Sequence, residues 1–517
     1  MNANAHLPAQ ELSTVQLAVA PLLEDAKTET PAALVAEQYD VIIIGAGLAG
    51  CATAQALTLA DPERRRRILL VDRHPDVHPR FSGEFIHPRG AQVLEDLGFY
   101  RPLVEAGAID VDGFAAYENA DSPPVDLSYA SVPNQRPRGL SVHHKILVKV
   151  MRKVVRETGH VQLLEGWAIT EVMRDGKGRI TAAVLEGPND VRHTVRCDLL
   201  VGADGKGSTV RKLAGVPDGR ETIGFTAGVE VRGASLPHPT YAHVVLGAWG
   251  PILAYPILRG SDGVVSTRIT FDLPKDLPAK GPRLKEYLLR AYVPFLPAPL
   301  SSEVAAAIVA HKGPLEMAPT VNLPAPTAVM SGLALVGDAA GCSHPITASG
   351  MTMGLRDAET LGREARRRAH MPLEEAWLDL GSLRRYRAEH DRYVPTRQAL
   401  ADAIYEAFRG GHEGARAIRR ALFGYWHSGN EARQRSMALL SCSEGRAGVF
   451  LTEYLKTARH ALGTSLIPRH AWHYPMTDRM RQAQGAARLA RTKLGLVAQV
   501  MWAQLRPSWL PHSREML

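Results

Sequence analysis

The chain is predicted to be an α/β protein with a Rossmann-like dinucleotide-binding domain, an antiparallel β-sheet substrate domain and a helical C-terminal region. Three features point there. Tyr39 to Ile44 is a short apolar run that passes through Gly45-x-Gly47-x-x-Gly50 into a helical pattern. Two later apolar runs also end in acidic glycine turns, Asp204-Gly205 and Gly337-Asp338. Ala227 to Phe271 alternates with the two-residue period of half-buried strands, and from about Arg385 the period becomes helical.

The first element carries the most chemistry. Gly45 permits the tight turn, Gly47 lets backbone approach a pyrophosphate, and Gly50 lets the helix pack close to the strand with its N-terminus toward the phosphates. The next apolar run, Ile68 to Val71, ends in Asp72, whose carboxylate suits ribose hydroxyls. These residues define a dinucleotide site without distinguishing FAD from NAD. Arg64 to Arg67 reads as a solvated loop. The loop from Arg80 to Gly90 carries Arg80 and Glu84, which either meet cofactor oxygens or form a surface ion pair, and it leads into a helix closed by Gly98. Ser141 to Val155 turns helical, and Asp204-Gly205 lies at a strand end, where cofactors sit in open α/β sheets. After Gly337-Asp338, Pro345 to Gly354 opens a helix whose N–H groups suit an anion or a polarised carbonyl.

At 517 residues the chain exceeds one core, so two or three units are expected. We assign a mobile arm to residues 1–37 and the dinucleotide-binding domain to 38–218 and 316–375. A substrate domain takes 219–315 with a contribution from 107–137, and a helical, membrane-associating region takes 376–517. The formal charge of +8 comes without a basic strip in a nucleic-acid-binding motif, which favours an anionic membrane surface over nucleic acid. Cys51, Cys197, Cys342 and Cys442 have no metal-like spacing and are too sparse for a disulfide framework, so a reducing, cytoplasmic compartment and no metal are expected. No apolar run reaches the length of a spanning helix. Arg479 to Leu505 places five cations ahead of the apolar block Leu494 to Trp502, which suits an interfacial helix or one packed on the protein itself.

The three turns at these separations resemble the single-component FAD monooxygenase superfamily and, within it, the squalene epoxidase family. From about Tyr39 to about Ser441 the likeness is carried by Gly83-Glu84-Phe85, His143-His144, Glu165-Gly166, Pro251 to Tyr255, Gly337-Asp338-Ala339, His344 to Thr347, Gly350-Met351-Thr352 and Met437 to Ser441. The resemblance implies that FAD lies on Gly45, Gly47 and Gly50. It implies Asp72 and Arg73 at the adenosine ribose, Arg80 and Arg152 on the pyrophosphate side, Asp338 at the pyrophosphate and ribityl hydroxyls, and Gly350 and Met351 beside the flavin ring. The chain also departs from that family: His87-Pro88-Arg89-Gly90 stands for Gln-Pro-Gly-Gly, Phe114 for a cavity tyrosine and Ala348-Ser349 for Gly-Gly. These departures point to a substrate other than squalene, with a polar head that His87 reaches.

The activity so implied is epoxidation of a carbon–carbon double bond in an apolar isoprenoid-like or prenylated substrate, by O2 activated as a C4a-hydroperoxide of reduced FAD. The cofactor carries that chemistry, so no catalytic side chain is assigned. His87, Phe114 and Tyr255 are candidates for the cavity wall. With no second glycine fingerprint, electrons are expected from NAD(P)H, directly or through a flavin or cytochrome reductase. An aromatic hydroxylase and an isoprenoid reductase of the same fold stay open. A halogenase would carry W-x-W-x-I-P, whereas Trp249 is followed by Gly250 and Pro251. A non-catalytic prenyl-binding carrier would have no use for Asp338.

Overall fold

A computed structural model of the chain describes residues 36–77, 83–247, 250–409 and 413–466, with residue 484. Arg80, nearly all of the expected N-terminal arm, and Arg479 to Leu505 apart from residue 484 lie outside the described residues.

The dinucleotide-binding sheet has five parallel strands in the order β18 (Leu333–Leu335), β11 (Arg192–Gly202), β1 (Gln38–Ile44), β2 (Ile68–Asp72) and β8 (Val161–Glu165). β17 (Val329–Met330) adds an antiparallel edge, while β9 (Ala168–Arg174) and β10 (Ile180–Glu186) extend from β11 as a meander. Helices α1 (Leu48–Ala60) and α2 (His144–Glu157) belong to the same domain. Val41, Ile42, Ile43, Leu69, Leu70 and Val201 are fully buried, as parallel strands covered on both faces require. Backbone bonds run across the strand ends: Gly45 N to Val71 O at 2.7 Å, Ala203 N to Ile44 O at 2.8 Å and Val336 N to Gly202 O at 3.0 Å. The glycine turn, Asp72, Asp204-Gly205 and Gly337-Asp338 are thereby brought to one carboxyl edge.

The second sheet runs β16 (Glu316–Asn322), β12 (Glu221–Arg232), β15 (Val265–Pro274), β14 (Pro251–Arg259), β13 (Tyr241–Leu246), β5 (Gly113–Tyr117) and β6 (Val125–Ser128). The strands within Ala227 to Phe271 pair antiparallel as expected, and β5, which arrives from a remote part of the chain, adds parallel to β13. The two-residue period separates its faces. Phe114, Val244, Leu253 and Tyr255 turn to the dinucleotide domain, whereas Ala115, Val245, Ile252 and Ala254 join Leu288 of α3 (Pro282–Ala291) and Val304 of α4 (Leu300–Ala310) in a separate core. A small sheet of β3 (Phe85–Ile86), β7 (Gly139–Ser141) and β4 (Ile109–Val111) lies beside these.

The chain returns through α5 (Gly350–Arg367), which packs closely on α1. A Cβ on Gly362 would stand 2.7 Å from the Ala56 Cβ, and one on Gly354 would stand 3.2 Å from the Ala49 Cβ. Four helices follow: α6 (Leu380–Arg409), α7 (Glu413–His427), α8 (Asn430–Leu440) and α9 (Ala447–Leu466). No described helix is long and apolar enough to cross a membrane.

Candidate active site

At the carboxyl edge the glycines do different work. Gly45 has φ +104°, and a Cβ on it would stand 2.6 Å from Ala203 O. A Cβ on Gly50 would stand 1.7 Å from Gly45 O, whereas one on Gly47 would meet nothing within 4 Å, so the turn opens space there. The helix α1 begins at that point with no side-chain cap and no acidic residue in its first turn, leaving its N-terminal N–H groups for an anion. Asp72 is fixed at the end of β2: Oδ2 accepts from Ala46 N at 2.8 Å and pairs with Arg152 at 2.9 Å, and Oδ1 accepts from His74 N at 2.9 Å. Arg152 also donates from Nε to Ala46 O at 2.9 Å and from Nη1 to Glu165 at 2.7 Å, which sets a positive charge directly behind the turn. Arg73 is exposed and donates to His74 Nε2 at 3.0 Å.

Two buried clamps hold the other turns, the first built largely from residues close in the chain and the second from residues far apart. Asp204 accepts from Ser208 Oγ at 2.5 Å and Thr209 N at 2.6 Å, capping a short helix. From that helix the fully buried Arg211 donates to Lys206 O at 2.9 Å and Ala339 O at 3.0 Å, tying the second turn to the third. Asp357 of α5 accepts from Gly337 N at 2.8 Å and Tyr393 OH at 2.5 Å, and pairs with His390 Nδ1 at 2.8 Å. Burial opposes charge on His390, but the Asp357 carboxylate outweighs it and raises the imidazole pKa. Asp338 lies beside the start of α5, since a Cβ on Gly350 would stand 3.4 Å from its Oδ1. That helix, too, starts without a side-chain cap or an acidic first turn. Two uncapped helix N-termini, an open glycine and the Asp72 and Asp338 carboxylates on one edge fit FAD: N–H groups for its phosphates and flavin carbonyl, carboxylates for its hydroxyls.

An open cleft separates this edge from the second sheet. Gly350, Met351 and Gly354 line it from α5, Phe114, Val244, Leu253 and Tyr255 from the sheet face, and Ala318 to Val321 from the edge strand β16. Its polar groups are largely satisfied. His344 accepts from Ile346 N at 3.1 Å through Nδ1, so Nε2 carries the proton toward Asp272 at 3.2 Å, and the ring stacks on Tyr405 at 3.8 Å. Tyr255 OH donates to Glu84 at 3.3 Å. Glu84 is itself buried in a bidentate pair with Arg268, at 2.9 and 3.0 Å. Burial pushes the Glu84 carboxyl up, but Arg268 outweighs it and holds the pKa below the usual range. Glu84 lines the cleft and its ion pair is buried, not the surface pair expected as the alternative to a cofactor contact.

His87 also requires correction: it is not part of the cavity wall. The ring is 0% exposed. Thr347 O lies 2.7 Å from Nε2, and a carbonyl only accepts, so Nε2 bears the proton and Nδ1 accepts from Tyr129 OH at 2.7 Å. Burial pushes its pKa down to about 4. The ring sits 5.9 Å from both Phe85 and Phe114, so the polar contact expected from it is sealed off, whereas Phe114 and Tyr255 do line the cleft.

A dinucleotide edge facing an apolar cleft under a separate β-sheet defines a flavin-dependent monooxygenase fold. The same fold occurs in p-nitrophenol 4-monooxygenase PnpA from Pseudomonas putida DLL-E4, with TM-score 0.63 and 18% identity over 79% of this chain and 98% of that one. It occurs likewise in the flavin-dependent brominase Bmp2, with TM-score 0.62 and 19% identity over 82% and 99%. The FAD binding domain family model matches residues 38–251 and the squalene epoxidase model residues 196–477. The chain is 30% identical to squalene epoxidase erg1 of Aspergillus fumigatus over 75% of this chain and 79% of that protein, and 25% identical to squalene monooxygenase of Mus musculus over 82% and 71%. It belongs to the squalene epoxidase family. It is an FAD-dependent oxidoreductase that epoxidises an isoprenoid.

Proposed function

We propose that the substrate is a long hydrocarbon isoprenoid of the squalene class, lying between the sheet face and α5. The observation that carries this reading is the wall of Phe114, Val244 and Leu253 together with the sealed His87, which removes the polar contact a head group would need there. A buried polar group left unpaired costs roughly 1–3 kcal/mol, so a polar aromatic substrate is disfavoured. When bound, reduced FAD activates O2 and supplies the oxygen atom. The chain binds and orients: Asp72 and Arg73 take the adenosine ribose, Arg80, Arg152 and the α1 N-terminus the pyrophosphate, and Asp338 the ribityl hydroxyls. Gly350 and Met351 flank the flavin ring, and Phe114 and Tyr255 press the substrate toward it while keeping water out. Electrons come from NAD(P)H through a flavin or cytochrome reductase, and Arg479 to Leu505 meets an anionic membrane surface peripherally.

The test incubates the full chain with FAD, NADPH, a reductase and labelled O2 against squalene, polyprenyl and prenylated aromatic compounds. Label in a squalene or polyprenyl epoxide is expected. Label confined to a ring hydroxyl, or a hydrogenated product without label, overturns the reading.

A further inference from the structure

A second, open groove lies among α6, α7, α8 and α9, and none of its lining residues belongs to the active cleft. Its wall is apolar, with Ile404, Leu422, Leu440 and Phe450 contributing from the four helices. The single carboxylate on it, Glu453, already accepts from Tyr425 OH and pairs with Arg435 at 3.4 Å and Lys456 at 2.9 Å. Such a wall offers a polar ligand little, and exposing it to water is unfavourable in proportion to its area. The last of the four helices, α9, ends at Leu466, and residues 467–517 follow it. Within them, Leu494, Val497, Ala498 and Met501 recur at the i, i+3, i+4, i+7 spacing of one helical face. Residues 467–493 reach back with ease, at roughly 3.3 Å per extended residue.

We propose that this groove seats the chain's own apolar run, Leu494 to Trp502, so that the run rests on the C-terminal helices when no membrane takes it. The cations ahead of the run, Arg491 and Lys493 among them, then stay in water. Because α9 supplies both the groove's wall and the tether, the contact is intramolecular and its effective concentration is high.

The test uses the full chain without lipid. Val497→Cys is combined with Thr457→Cys in one variant and with Ser436→Cys in another, both partners being groove-lining positions, and a short bismaleimide is added. Linkage within one chain is expected in at least one pair, absent from the parent protein. A Val497→Asp/Met501→Asp variant should speed amide exchange over residues 454–458 by about tenfold. Links only between copies would make the groove a dimer contact, and no link in a chain that still pellets with anionic vesicles would make the run a membrane element alone; either result, or unchanged exchange, overturns the proposal.

Discussion

His87 and Glu84 show what burial does to a titratable residue. His87 is neutral in the fold with a pKa of about 4, below the value near 6.5 of an unfolded histidine, so the unfolded chain binds the proton first. Stability is therefore full above pH ~6.5 and falls as the pH drops toward 4, by about 3 kcal/mol from this residue. In His87→Gln, whose amide donates to Thr347 O and accepts from Tyr129 OH, denaturant midpoints at pH 7 and pH 5 should lie closer together than in the parent. Glu84→Ala leaves the buried Arg268 with Glu316 alone, at 3.0 Å, and is expected to cost about 3 kcal/mol in unfolding, most of which a Glu84→Met/Arg268→Met variant should recover. Asp338→Ala should weaken FAD binding by about 1–3 kcal/mol, read by flavin fluorescence titration, and unchanged affinity would remove Asp338 from the site. Asp72 was legible because it ends the apolar run after the glycine turn, and Asp338 because it follows Gly337 at the end of another such run. Glu84 and Arg268 were not, since 184 residues separate them and only the docking of β15 against the loop before β3 makes them partners.

Among elements, the α1–α5 crossing couples stability to the cofactor. Gly354 and Gly362 let α5 approach Ala49 and Ala56, and the same helix presents Gly350 and Met351 at its N-terminus. In Gly362→Val the added atoms meet Ala56 at contact distances already closed, so the expected loss is about 1–3 kcal/mol, seen as a lower denaturation midpoint. FAD affinity should fall with it, because a displaced α5 carries along Gly350 and Met351, the residues proposed to flank the flavin. A midpoint equal to the parent's would show that the helices part without strain. The period of α5 announced a helix, but its partner could not be read, because small residues mark a close crossing without saying which helix comes close. The parallel pairing of β5 with β13 was hidden for the same reason: alternation reports a strand's buried face and says nothing of its neighbour's direction.

For the molecule as a whole, net charge and the cationic tail predict adhesion to anionic vesicles at low salt, with release as ionic strength rises and the Debye length shortens. Sedimentation of the full chain with such vesicles, reversed by salt, is the expected result; a chain that stays in the supernatant at low salt would rule out the tail as a membrane contact. The sequence by itself determined the dinucleotide fold, the order of its three turns, the alternating sheet and the family, because each rests on residues close in the chain: a glycine where backbone must bend or approach, an acid at a strand end, a period of two or of 3.6. Only the tertiary structure decided which polar residues face the cleft. His87 and Glu84 flank β3, yet the histidine is sealed by Tyr129 and Thr347 while the acid stays at the cleft, neutralised by Arg268, and Phe114 and Tyr255 are turned to the cleft by the sheet's pleat. Burial and pairing are set by partners far away in the chain, and no local pattern encodes them.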